Sequence, residues 1–162
     1  MTAEWYVGVA DALAWMTIMI GTGYLAHRLP DRVLERDNWL LRPRRFERGG
    51  RFYERWFAVR RWKDLLPEGG GAFRGGRSKS RLFGHDRAGL EAYARETRRA
   101  ELAHWMAVVP TPLFALWNPA WLMPFMVAFA VVVNAPCIVV VRYNRLRIGR
   151  LLSSRRSAPG AR

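Results

Sequence analysis

The most constraining feature of this sequence is an uncharged apolar run over residues 105–141, which follows a strongly charged region. A second apolar stretch, residues 6–26, lies near the N-terminus and carries Asp11 as its only charge. A helix over 6–26 reaches roughly 30 Å, which is the thickness of the hydrocarbon core of a bilayer. The sequence therefore predicts an all-α integral membrane protein.

The longer run is too long for a single membrane span. Residues 117–121 interrupt it with two tryptophans, an asparagine and a proline, a combination typical of a turn at a membrane surface. We expect a helical hairpin with a short arm over 105–116 and a full span over 121–141. The short arm covers only about 18 Å as a helix, so it borrows length from its flanks or is re-entrant. Pro110 and Pro112 favour an irregular or kinked arm.

The distribution of charge predicts the topology. Residues 27–103 carry 20 Lys and Arg against 11 Asp and Glu, and the tail over 142–162 carries 7 Arg and no acidic residue. Neither the N-terminal stub nor the 117–121 turn carries Lys or Arg. By the positive-inside rule, the basic region and the tail are cytoplasmic, and the N-terminus and the turn lie outside. We expect one membrane domain over residues 1–162, with amphipathic helices in its cytoplasmic part.

The basic region interleaves aromatic residues with arginines over residues 46–62. In a soluble protein this pattern could form a platform for single-stranded nucleic acid. Beside membrane spans it favours an interfacial segment that binds anionic lipid headgroups, so we expect membrane lipids and no nucleic acid as partners. The glycine-rich stretch 69–76 lacks the lysine and hydroxyl residue of a P-loop.

Candidate catalytic residues lie in the stretch 96–105, where a predicted cytoplasmic helix enters the bilayer. Glu101 and His104 are three residues apart and share one helix face, so Glu101 could orient the imidazole of a general base, His104. Glu96 is a further candidate carboxylate on the same stretch. Arg98 and Arg99 could bind the phosphate or carboxylate groups of a substrate. The alternative is that His104 is an interfacial anchor and the arginines contact headgroups.

A second group of polar residues lies at the end of the last predicted span. Asn134 inside an apolar helix indicates either a substrate groove or a kink that a neighbouring helix satisfies. The run after the span gives four further candidates for substrate binding, namely Arg142, Tyr143, Asn144 and Arg145. They would emerge on the same membrane face as Arg98 and Arg99. Because a second carboxylate–histidine pair is missing, we expect no metal site.

Four blocks of sequence resemble the glycosyl-4,4'-diaponeurosporenoate acyltransferases of staphyloxanthin-type carotenoid biosynthesis. They are Arg28–Asp31, Phe52 with residues 56–63, residues 96–102 with His104 and Trp105, and residues 134–136 with 142–145. Val141 and Leu146 depart from the family pattern, which has Gln and Pro at these positions, and the stretch 69–76 is an insertion.

The resemblance implies a bacterial multi-pass membrane enzyme that transfers a fatty acyl group to a sugar hydroxyl of a glycosylated carotenoid. It further implies an acyl thioester as the co-substrate, with no other cofactor, and other carotenoid-synthesis enzymes as partners. A different class of function remains open, a non-catalytic membrane scaffold or an anionic-lipid-binding protein. Substitution of His104 separates the two, because a scaffold tolerates it and a general base does not.

Overall fold

A computed structural model describes residues 4–66 and 86–157 of the chain. The glycine-rich stretch 69–76 lies outside these described residues. Within them the protein is all-helical, as predicted, and contains no strand. The α-helices are α1 (Glu4–Arg28), α2 (Asp31–Leu34), α3 (Arg51–Phe57), α4 (Val59–Trp62), α5 (Arg87–Val108) and α6 (Met123–Ser157). Short 3-10 helices cover Arg45–Gly50, Lys63–Leu65, Thr111–Leu116 and Ala120–Leu122.

Two of these helices are long and apolar enough to cross a membrane, over Trp5–Arg28 and Ala120–Ser154. Most of the apolar surface of both helices is exposed, including Leu13, Ile20 and Val132. A helix from the core of a soluble protein would bury these side chains, whereas lipid can cover them. The two helices therefore fit a membrane protein.

Helix α5 runs without a break from the region predicted to be cytoplasmic into the predicted short arm. It begins after Asp86, whose side chain accepts a hydrogen bond from the backbone N–H of Gly89 at 3.1 Å. It ends at Val108, because Pro110 lacks the N–H group that would continue the helical hydrogen bonds. The short arm expected over 105–116 therefore does not form one helix. Its first residues belong to α5, and Thr111–Leu116 forms the irregular part that the prolines predict.

The other difference from the expected elements concerns α6. The predicted span over 121–141 lies almost wholly within it, but the helix continues through the basic residues to Ser157. Its composition thus changes at Arg142 while its backbone does not. A helix of this length reaches about 52 Å, well beyond the thickness of a hydrocarbon core.

Contacts along α5 show that it runs antiparallel to α6. Near the start of α5, Leu90 packs in one apolar cluster with Ile148. Further along, Glu101 pairs with Arg142. Still further, His104 lies against Asn134, nearer the start of α6.

Helix α1 also runs antiparallel to α5, so α1 and α6 point in the same direction. At the C-terminal end of α1, Arg99 of α5 donates hydrogen bonds from Nη1 to the carbonyl oxygens of Ala26 and His27 at 2.9 Å each, and to that of Leu29 at 2.8 Å. Towards the other end, Asp11 Oδ1 accepts from Asn118 Nδ2 at 2.8 Å. Two polar links thus fasten α1, one to α5 and the other to the chain that connects α5 and α6.

The aromatic and basic segment over 45–62 folds back onto α6. Tyr53 and Val59 form a buried cluster with Tyr143 and Leu146. The chain approaches α6 closely at Gly50, where φ is 101° and an added Cβ would lie 3.3 Å from the ring of Tyr143. A glycine is therefore required here on both conformational and steric grounds.

The hydrogen bonds from Arg99 should make it important for stability. We expect Arg99→Ala to destabilise the protein by about 2 kcal/mol or more, because it removes charge-assisted bonds to the carbonyls at the end of α1. Arg95→Ala is the matched control, since Arg95 makes only a 3.8 Å ion pair with exposed Asp31 and should cost less than about 1 kcal/mol. Thermal unfolding in detergent measures both, and equal midpoints for the two variants would contradict the assignment.

Candidate functional site

Two arginines of α6 meet several carboxylates from distant parts of the chain. We call this group the arginine cluster, and it comprises Asp37, Glu47, Glu101, Arg142 and Arg145. Both glutamates are fully buried, and the two arginines are nearly so. Buried charges require opposite charges and well-placed hydrogen bonds, and the cluster supplies both except at Arg145 Nε, which is buried without a hydrogen-bond partner among the described residues.

Glu101 lies at the centre of the cluster and binds both arginines. Its Oε1 accepts from Arg142 Nη1 at 2.6 Å, and its Oε2 accepts from Arg145 Nη2 at 2.8 Å. Both carboxylate oxygens of Glu101 are therefore occupied by α6. Its predicted role of orienting His104 is not what this geometry shows, because the carboxylate faces a neighbouring helix while His104 bonds to another residue.

Glu47 provides the second buried carboxylate. It pairs with Arg142 Nε, accepts the backbone N–H of Arg44, and accepts the hydroxyl of Tyr53 at 2.6 Å. Burial raises the pKa of Glu47, but the hydrogen bonds from Arg142, Arg44 and Tyr53 outweigh it, so the pKa lies below its usual value of 4.5. Burial and the bond to Glu47 raise the pKa of Tyr53. The carboxylate is thus ionised and the phenol neutral at neutral pH.

The cluster also holds the chain segment that precedes Glu47. Arg145 Nη1 donates to Asp37 at 2.8 Å and its Nη2 donates to the carbonyl of Leu41 at 2.7 Å. Arg142 donates to the carbonyls of Leu40 and Arg42 at 3.1 and 2.9 Å. The two guanidinium groups therefore organise an otherwise irregular stretch of backbone around α6.

Three further predicted substrate-binding residues, Arg98, Arg99 and Tyr143, also have partners inside the protein. Arg98 donates to Asp37 at 2.7 Å, and the hydroxyl of Tyr143 donates to Glu54 at 2.7 Å. Arg99 lies 3.5 Å from the half-buried Glu96, besides its bonds at the end of α1. Asn144 is half-buried on α6.

His104 forms a separate pair with Asn134, about two helical turns before Arg142 along α6. Asn134 Nδ2 donates to the carbonyl of Ala130 at 2.9 Å, which directs its Oδ1 towards His104. The Oδ1 atom lies 3.0 Å from His104 Nδ1. Since an amide oxygen only accepts, neutral His104 carries its proton on Nδ1 and its lone pair on Nε2. This tautomer suits a general base that acts through Nε2.

The structure thus unites some predicted residues and separates others. It places Glu101, Arg98, Arg142 and Arg145 around one cluster, and it pairs His104 with Asn134. Sequence reasoning missed Asp37, Glu47 and Glu54. The sequence feature that could have indicated Glu47 is a single acidic residue among closely spaced arginines. No group of three or more metal-binding side chains occurs within residues 4–66 and 86–157.

Comparison with known proteins agrees with the sequence blocks. Residues 37–154 match the family model of glycosyl-4,4'-diaponeurosporenoate acyltransferase. Enzymes of this name from Staphylococcus aureus strains bovine RF122 / ET3-1 and MRSA252 are each 30% identical over 141 residues, covering 87% of this chain and 85% of theirs. The enzyme from strain USA300 is 29% identical over the same coverage. No solved structure matches the chain.

The burial of Glu101 predicts that its substitution lowers the stability of the fold. We expect Glu101→Gln to lower the free energy of unfolding by about 3–5 kcal/mol, because it leaves two buried guanidinium groups short of negative charge. Glu96→Gln is the matched control, since its ion pair is long and partly exposed, and it should change stability by less than about 1 kcal/mol. Chemical unfolding in mixed micelles measures both. Equal stability of Glu101→Gln and the wild type would show that Glu101 does not support the fold.

Glu47 predicts a pH dependence of stability. Because its pKa is lower in the folded chain, its contribution is complete above the unfolded value of 4.5 and is lost as pH falls through the lower folded value. We expect the unfolding temperature to decrease over this acidic range. Glu47→Gln should flatten that decrease, whereas the exposed-site variant Asp64→Asn should not. An unchanged pH dependence in Glu47→Gln would contradict the assignment.

Proposed function

This chain belongs to the glycosyl-4,4'-diaponeurosporenoate acyltransferase family and is an acyltransferase, and we propose that it acylates a glycosylated carotenoid lipid in the bacterial cell membrane. The acyl donor in this proposal is a fatty acyl thioester, and the acceptor is a hydroxyl of the sugar. The name shared by the relatives supports the acceptor class. The pairing of His104 with Asn134 is the observation that supports the chemistry.

The proposed reaction needs only one proton-transfer group. His104 Nε2 removes the proton from the sugar hydroxyl as its oxygen attacks the thioester carbonyl. The tetrahedral intermediate collapses, the carbon–sulfur bond breaks, and the proton passes from imidazolium to the leaving thiolate. The products are a sugar ester and a free thiol. Asn134 serves this step as a positioning residue, because it holds the proton on Nδ1 and the lone pair on Nε2.

The arginine cluster supports this site from one side. Glu101 is one helical turn before His104 on α5, and its two ion pairs fix the register of α5 against α6. We therefore assign Glu101, Arg142 and Arg145 to the scaffold of the site rather than to substrate contact. Glu96 lies nearer the cytoplasmic end of α5 and remains a candidate for contact with the donor.

The same direction of α1 and α6 supports three membrane segments. If both helices cross the bilayer, the chain between them must cross it once in return. The segment from Arg99 to Asn118 lies beside both helices, and its α-helical and 3-10 parts together extend about 27 Å. We propose that it makes the return crossing, with the N-terminus outside and residues 27–98 and the C-terminal part in the cytoplasm. This is the orientation that the charges predict, although that prediction placed the boundary at residue 103.

The test is esterification in membranes that contain the proposed substrates. We expect membranes with the wild type, a glycosylated C30 carotenoid and an acyl thioester to yield the acylated product by mass spectrometry. His104→Ala should reduce the rate by about 10²-fold or more at equal protein level. His27→Ala, at the end of α1, is the matched control and should retain activity. Product from His104→Ala at the wild-type rate removes His104 from the mechanism, and no product from the wild type favours the scaffold alternative.

Substitution of Asn134 tests its positioning role separately. Asn134→Leu should lower kcat with little change in KM, because it removes the acceptor that holds His104 in one tautomer. Asn134→Asp keeps an acceptor and adds negative charge, which stabilises the imidazolium. We therefore expect Asn134→Asp to retain more activity than Asn134→Leu and to shift the acid limb of the pH–rate profile to higher pH. A purely structural Asn134 would change protein yield and leave the pH profile in place.

A further inference from the structure

We infer that α3, α4 and the turn before them bind anionic phospholipid headgroups at the cytoplasmic surface of the bilayer. The surface concerned, the aromatic–arginine surface, comprises Phe46, Arg51, Arg55, Trp56, Phe57, Arg60 and Arg61. This inference goes beyond the proposed reaction and does not rest on it. Four observations carry it, namely the level of the surface along α6, its exposed rings, its uncommitted arginines and the sides of α3 on which they lie.

The level of the surface follows from its contacts with α6. Glu47, beside Phe46, pairs with Arg142, and Tyr53 and Val59 pack against Tyr143 and Leu146. Arg142 is the first charged residue after the uncharged run that starts at Trp105. The aromatic–arginine surface therefore lies where the apolar part of α6 ends, which is the depth of lipid headgroups if α6 spans the bilayer.

Large rings project from this surface into the surroundings of the protein. The exposed fractions of Trp56, Phe46 and Phe57 are 71%, 56% and 48%. The rings of Phe46 and Phe57 contact Phe52, and that of Phe57 also contacts Tyr53. Neighbouring exposed rings on a soluble surface mark a binding site, and at this depth the bilayer interface is the environment that aromatic residues prefer.

The arginines of the surface are available for an external anion. Over residues 45–63 the chain has seven basic residues and two acidic ones, of which Glu47 is buried in the arginine cluster. Among the described residues, no ion pair involves Arg51, Arg55 or Arg60. By contrast, Arg98, Arg99, Arg142 and Arg145 all bind internal carboxylates. Attraction to headgroups thus belongs to the aromatic–arginine surface and not to those four.

Helix α3 also separates its two kinds of residue as an interfacial helix does. Phe52 and Trp56 are four residues apart and share one side, and Arg51 and Arg55 share another. Tyr53 on the inner side anchors the helix to α6. Rings on one side can enter the acyl-chain boundary while the guanidinium groups stay among phosphates. A single-stranded nucleic acid would bind to the same residue types. At the depth of the membrane interface, however, lipid phosphates are nearer to this surface than nucleic-acid phosphates.

The depth of the surface can be measured with the full chain in vesicles. In a Cys137→Ser background, an apolar fluorophore is attached at Trp56→Cys or, as the matched control, at Arg87→Cys on the cytoplasmic end of α5. We expect shallow nitroxide lipids to quench the label at 56, and aqueous iodide to quench it about threefold less than the label at 87. Equal iodide quenching at both positions overturns the inference. This test changes none of the arginines of the surface.

The preference for anionic lipid is measured with the same label at position 56. Nitroxide on phosphatidylglycerol should quench it about twofold more than nitroxide on phosphatidylcholine. Arg51→Gln with Arg55→Gln should abolish this preference, whereas Arg87→Gln with Arg95→Gln, an equal change of charge, should not. Equal quenching by the two lipids overturns the assignment. Tight binding of a single-stranded oligonucleotide that increases the quenching of the label by iodide also overturns the assignment.

Discussion

The carboxylate of Glu101 on α5 bridges two guanidinium groups of α6, and the relative position of these two helices depends on this bridge. Arg142 and Arg145 are three residues apart, so they lie on one face of α6 and can reach a single carboxylate. A shift of α5 by one turn would leave Glu101 buried without a partner and would remove one of the two carboxylates that each arginine binds. Such a state is strongly unfavourable, which gives the helix pair one register.

The same bridge explains why the candidate site is separate from the charges. His104 lies one turn beyond Glu101, towards the apolar half of α6, where it contacts Asn134. The side-chain amide of Asn134 is uncharged, so its hydrogen bond to the imidazole adds no charge to the pair. The site therefore combines a strongly charged support with a separate pair of an imidazole and an amide. Membership of an acyltransferase family gives this arrangement its chemical context.

Features that depend on local composition were predictable from the sequence. The all-helical fold, the long apolar helices and the irregular chain near Pro110 each follow from residues adjacent in sequence. The partner of Glu101 was not predictable in this way. Spacing along α5 places His104 on the same face, but periodicity says nothing about a neighbouring helix some forty residues later. The continuation of α6 beyond Val141 was missed for a related reason, since a change from apolar to basic composition does not end a helix.

The links at the two ends of α1 relate the protein to the thickness of its membrane. Asp11, bonded to Asn118, and Ala26, bonded to Arg99, are about 22 Å apart along the helix. An average hydrocarbon core is about 30 Å thick, so both links cannot reach the two interfaces of such a bilayer at once. If α1 spans the bilayer, hydrophobic mismatch requires the bilayer to thin around it, or requires Asp11 to lie below the nearer membrane surface, shielded by Trp117 and Asn118. The acyl-chain length of the surrounding lipids, which sets the bilayer thickness, therefore affects how α1 is accommodated in the membrane.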